Sequence, residues 1–223
     1  MLSNTDFYSG AFPAEYGNAL SGVFDLNLRK GNQDKWEESI QVGVLGLEAA
    51  VEGPFSKKYK GSYLVNYRYS TLDILSKIGL KIGGNQVPKY QDLSFNFYFP
   101  TKKIGDFTLF GIGGLSSLGN KAERDVSKWK SFNDRTEESL SQKTGVLGLT
   151  HTYHFLDNKT YLKTSLSVSS SSNSYNNDSL SNDFVKANLE SARFTYVTSR
   201  VAFALNRKVD SKNTVRAGIE YAH

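Results

Sequence analysis

The stretch Ser62-Tyr63-Leu64-Val65-Asn66-Tyr67-Arg68-Tyr69-Ser70 decides the fold class. Tyr63, Val65, Tyr67 and Tyr69 fall on one face of an extended chain, and Leu64, Asn66, Arg68 and Ser70 on the other. A period of two marks a strand whose faces meet different surroundings. The same period recurs downstream. Leu93, Phe95, Phe97 and Phe99 alternate with polar or small partners, as do Leu147, Leu149, His151, Tyr153 and Phe155. Leu162 to Val168, Val197 to Asn206 and Val215 to Tyr221 continue the pattern. Upstream, Ile40, Val42 and Val44 are out of phase with Leu45, Leu47, Ala49 and Val51, which predicts one strand with a bulge near Gly43 or Gly46. Phe107 to Leu115 is apolar or glycine on both faces, so its orientation is left open. This makes eight predicted strands; the only segment with helical spacing is Thr71 to Leu80.

The connections alternate in length. Short polar turns lie at about 53–61, 100–106, 156–160 and 210–214, and long polar stretches at about 71–89, 117–142 and 169–191. Tight turns at one end and large loops at the other are the pattern of outer-membrane barrels. The serine- and asparagine-rich run Ser165 to Ser181 is read as a strand end followed by a solvated loop. Aromatic residues flank three of the four short turns (Phe55 and Tyr63, Phe99 and Phe107, Phe155 and Tyr161), as in an interfacial girdle.

Composition excludes several classes. No run of 18 apolar residues exists, so no transmembrane helix is expected. The N-terminus lacks the basic and apolar regions of a signal peptide. The net charge of +5 is spread along the chain, which gives no footprint for nucleic acid. There is no cysteine, hence no disulfide framework. His151 and His154, three apart on a strand, point to opposite faces and cannot share a metal. No nucleophile, base and orienter set stands out, and no phosphate loop or dinucleotide fingerprint occurs, so neither an enzyme nor a cofactor is expected.

The first 34 residues stand outside the hairpin pattern. They include Gly10-Ala11-Phe12-Pro13-Ala14-Glu15-Tyr16-Gly17 and Ser21-Gly22, then Val23-Phe24-Asp25-Leu26-Asn27-Leu28-Arg29-Lys30-Gly31-Asn32. This text resembles the last part of the plug domain of TonB-dependent outer-membrane receptors, most of all those of Bacteroidetes. The run Gly46 to Phe55, followed by Ser62 to Tyr69, resembles that family's first barrel hairpin. The specific match covers roughly residues 7–70.

The resemblance implies an all-β chain: residues 1–34 as the C-terminal end of a plug, and 35–223 as the N-terminal part of an antiparallel transmembrane β-barrel. Barrels of this class close with 22 strands, and about eight are predicted here, so the chain is expected to be an internal piece. The implied activity is TonB-dependent import of a bulky nutrient, such as a metal chelate, glycan or peptide, across the bacterial outer membrane. The implied partners are the TonB complex, outer-membrane lipid, the nutrient and, in some such receptors, a surface lipoprotein cap. Candidate substrate contacts are Tyr8, Phe12 and Tyr16, with polar residues of 71–89 and 117–142. Candidate plug–barrel contacts are Arg29 and Lys30 against Glu48 and Glu52. Most other charges on the polar strand faces (Arg68, Lys163, Arg200, Arg216, Glu220) are expected to be solvated. Two alternatives stay open: a small eight-stranded outer-membrane barrel with an adhesive or structural role, and a soluble lipocalin-like binder with apolar faces inward.

Overall fold

The computed structural model describes all residues except 1, 11, 18, 45 and 78–87, and omits the side chains of 73, 76 and 77. Strands β1 (Leu2–Tyr8) and β2 (Val23–Leu28) form a two-stranded antiparallel sheet. The remaining strands are β3 (Glu37–Val42), β4 (Leu47–Ser56), β5 (Tyr59–Tyr69), β6 (Lys89–Pro100), β7 (Asp106–Gly119), β8 (Thr136–His154), β9 (Thr160–Leu180), β10 (Lys186–Lys208) and β11 (Thr214–Ala222). They form one nine-stranded meander in which each strand pairs antiparallel with its neighbours in sequence. Among the described residues β3 and β11 are its edges. A short helix, α1 (Thr71–Lys77), follows β5, where helical spacing was read over Thr71 to Leu80; residues 78–80 lie outside the described set.

The phase break near Gly43 is not a bulge. Ile40 pairs with Ala49 and Val42 with Leu47, and the Gly43 N–H donates to the Gly46 carbonyl at 2.9 Å. The chain reverses there, so one predicted strand is two, and the sheet has nine strands instead of eight. A chain reversal shifts apolar phase just as an inserted residue does, so periodicity alone does not separate them.

The two later polar stretches are also shorter as loops than expected. The stretch at 117–142 shrinks to 120–135, and that at 169–191 to the five-residue turn 181–185. The serine-rich run is strand, not loop: Ser167 pairs with Gly148 and Arg200, and Asn176 with Ser139 and Ser191. Side chains add to the ladder there, with Ser172 Oγ 2.9 Å from Thr195 Oγ1 and Asn188 Nδ2 donating to Asn176 Oδ1 at 2.8 Å. Ladder bonds require no apolar side chain, so a polar strand carries no hydrophobic period to read.

Segment 120–135 folds back on this extension. The Trp129 indole donates to the Glu123 carbonyl at 2.8 Å, and Asp134 Oδ2 accepts from the Lys130 and Ser131 amides at 2.7 Å each. Glu137 pairs with both Arg124 and Lys186 at 2.5 Å. Trp129 meets the edge of Phe184, which sits at φ 60° in the 181–185 turn.

Register assigns every strand two faces. Phe97, Leu109, Leu149 and Leu166 are successive partners across β6 to β9, which settles the orientation of β7. The opposite face carries Glu52, Leu64, Asn96 and Phe110, paired in the same way. The second face is the more covered of the two. The buried apolar side chains among the described residues are Leu64, Tyr98, Ala122 and Leu180, whereas Ser62, Asn66, Ser94, Asn96 and Asn206 are buried polar groups on the second face. The first face leaves Leu93, Leu147, Leu166, Phe203 and Ile219 exposed at 44–71%.

Candidate functional site

The site lies where the N-terminal segment crosses the polar face of the sheet. Alternation places Glu48 and Glu52 of β4, Asn66 of β5, and Asn96 and Tyr98 of β6 on that face. Arg29 follows β2 directly and reaches Glu52 with both terminal nitrogens, Nη1 at 2.6 Å from Oε2 and Nη2 at 2.5 Å from Oε1. The Asn32 amide donates to the same carboxylate at 2.8 Å. Glu52 raises the affinity of the guanidinium for its proton chiefly through these bonds.

Between these two contacts the backbone runs against β5 and β6. Asn96 Nδ2 donates to the Arg29 carbonyl at 3.0 Å. A Cβ added to Gly31 would stand 2.0 Å from the Tyr63 carbonyl oxygen, so no side chain fits at this position. Lys30 places its ammonium 3.5 Å from the centre of the Tyr98 ring, and Tyr98 donates to Asp106 Oδ2 at 2.7 Å. Burial lowers the pKa of Lys30 against the opposing pull of Asp106.

Four candidate contacts therefore divide. Arg29 and Glu52 come together; Lys30 takes Tyr98; Glu48 accepts from Asn66 Nδ2 at 2.5 Å. Of the candidate substrate contacts, Tyr8 and Tyr16 meet with ring centres 5.6 Å apart. Tyr16 lies in the turn Ala14–Tyr16, its amide donating to the Pro13 carbonyl at 2.9 Å. Burial, then a hydrogen bond with Asp25 and its charge, pushes the Tyr16 phenol up to about 12. Tyr16 thus packs within the N-terminal segment. Phe12 is half-buried.

A second contact joins this segment to the far end of the sheet, and sequence reading missed it. Glu15 pairs with Arg216 of β11, which also donates from Nε to Asn206 Oδ1 at 2.7 Å. Beside the pair, a cleft of about 590 Å³ opens between Pro13, Glu15, Ala204, Arg216, Gly218 and Glu220. The partners are 201 positions apart, and nothing local in the sequence signals such a pairing. Other face charges pair across strands, Arg68 with Asp92 at 2.8 Å and Arg200 with Glu220 at 2.7 Å. These are half-exposed pairs of small energetic weight.

Among the described residues no group of three metal-ligating side chains is present. The arrangement binds and positions one chain segment on a polar wall. No protein-family model, curated protein or solved structure matches this chain.

Proposed function

We propose that this chain is the end of the plug and the first nine barrel strands of a TonB-dependent receptor, which imports a bulky nutrient across the bacterial outer membrane. One observation carries the reading: the covered face of the sheet is polar and holds the N-terminal segment, while the apolar face is bare. A barrel wall in lipid requires that arrangement, with an apolar band outward and a wet lumen inward. A lipocalin-like binder requires the reverse. The bare band spans four or five outward residues per strand, about 25 Å along the chain. Its short-turn end is rimmed by aromatics: Phe55 stacks on Phe99 at 4.9 Å, and Tyr153 meets Phe155 at 5.2 Å. Strands β9 and β10, at 21 and 23 residues, would run about 70 Å and stand well clear of the bilayer at their long-loop end.

In this reading Arg29–Glu52 and Glu15–Arg216 hold the plug to the wall at two distant strands. Force delivered by TonB would break such contacts and open a path beside the plug. The nutrient would meet the polar strand extensions and segment 120–135 first.

An antibody against residues 1–34, used on fractionated envelopes of the source bacterium, tests the reading. The expected signal is in the outer-membrane fraction, released only by detergent. A signal in the soluble fraction overturns it.

A further inference from the structure

The bare apolar face is not uniform. Gly113 of β7 pairs with Gly145 of β8, and Gly111 lies two residues along on the same face. Cβ atoms built at Gly113 and Gly145 would meet nothing closer than 3.5 and 3.4 Å, and those contacts are neighbouring backbone. The Phe95 ring lies over Gly111, but no side chain covers the Gly113–Gly145 rung, and a furrow of about 630 Å³ opens there, walled by Leu93, Phe95, Leu147 and Val168. That volume lies within the range of about 300–1,000 Å³ typical of small-ligand sites.

The furrow has one charged end. Lys143 stands on the same face one rung beyond Gly145, opposite Leu115, and lines the opening. It is exposed, and no ion pair involving it occurs among the described residues. Lys89, paired with Ser117, occupies the next rung of the same face on the far side of β7. The outward neighbours at this level are Gln91, Leu115 and Ser172; Asp92, which also lines the furrow, belongs to the opposite face, where it pairs with Arg68 at 2.8 Å. A cation at the boundary of an apolar slot matches a ligand with an anionic head and a hydrocarbon tail.

We propose that this furrow is a binding site for one phospholipid of net negative charge, with an acyl chain over Gly113 and Gly145 and the anionic headgroup on Lys143. The proposal rests on the barrel reading, in which Lys143 lies at headgroup level on the long-loop side. Bulk lipid would cover any outward strand; the glycine floor and single-ended charge give this patch a preferred occupant and orientation.

The test is lipid retention by the full-length protein purified from membranes in detergent, read by native mass spectrometry. Phosphatidylglycerol and phosphatidylcholine with identical chains are offered together. The expected result is one phosphatidylglycerol retained in preference to phosphatidylcholine. Lys143→Ala should cut that preference about fivefold, the scale of one interfacial cation, and Gly145→Leu should abolish retention of both lipids. Lys159→Ala, at the opposite end of the strands, should change nothing. Gly113→Leu is the second furrow-filling variant, since its Cβ also has room. Equal retention of the two lipids, or retention indifferent to Lys143→Ala and both glycine variants, overturns the proposal and leaves the barrel reading intact. A protein that is soluble without detergent overturns both.

Discussion

Arg29 and Glu52 face one another in a two-toothed pair, 2.6 and 2.5 Å between nitrogens and oxygens, across 23 positions of sequence. Glu52 is only 12% exposed while Arg29 is 42% exposed, so the carboxylate is the member that depends on its partner. Removing Arg29 strands a nearly buried charge; removing both members does not. A double-mutant cycle of Arg29→Met and Glu52→Gln should give a coupling of about 1–2 kcal/mol, reduced from a buried pair by the exposure of Arg29. The measurement is the rate of trypsin cleavage at the Lys30–Gly31 bond, which should rise most for Arg29→Met. Additive single effects would show that the pair does not hold the segment.

Gly31→Ala should detach the same segment by a different route. Its Cβ would overlap the Tyr63 carbonyl, and β5 cannot yield there without straining its pairing with β4 and β6. Overpacking of this kind costs about 1–3 kcal/mol. Gly10→Ala, with nothing within 4 Å of its Cβ, serves as the control and should leave cleavage unchanged.

The chain has no cysteine, so single cysteines report faces without background. On β9, Leu166→Cys and Val168→Cys should react with a membrane-soluble maleimide and resist a water-soluble one. Ser165→Cys and Ser167→Cys, on the polar face, should react with the water-soluble reagent. Ser172→Cys and Ser174→Cys share the face of Leu166 but lie beyond the apolar band, and should also label from water. Uniform labelling along β9 would remove the case for a lipid-facing band.

Segment 120–135 should loosen in acid. A hydrogen bond from Lys186, then the charges of Lys186 and Arg124, hold the Glu137 carboxyl below its ordinary value against the opposing effect of burial. A depressed folded value stabilises the docked form above the ordinary carboxylate range. That contribution disappears as pH falls through the folded value. Trp129 emission in a Trp36→Phe background should be flat near neutrality and change on the acid side. Glu137→Gln should flatten the part due to this residue, leaving what Asp134 contributes through the Lys130 and Ser131 amides.

Strand phase was legible in the residues. Tyr63, Val65 and Tyr67, or Leu162 and Leu166, alternate with polar neighbours, and strand pairing keeps the two sets on opposite faces of the sheet. Pairing Arg29 with Glu52 was within reach because both bear charge on polar faces of adjacent segments. The contact of Glu15 with Arg216 was not, since the two lie 201 positions apart in the chain.

The sequence by itself determined which side chains share a face, a local consequence of two-residue alternation along an extended backbone. Only the tertiary structure decided where the strands end and where the chain turns. The Ser169 to Leu180 half of β9 is held by backbone bonds to β8 and β10. Those bonds are made by every residue type with an N–H and a carbonyl, so they leave no mark on composition. The reversal at Gly43 and Gly46 likewise became visible through the pairing of Val42 with Leu47. Pairing is a relation between two segments, and neither segment alone encodes it.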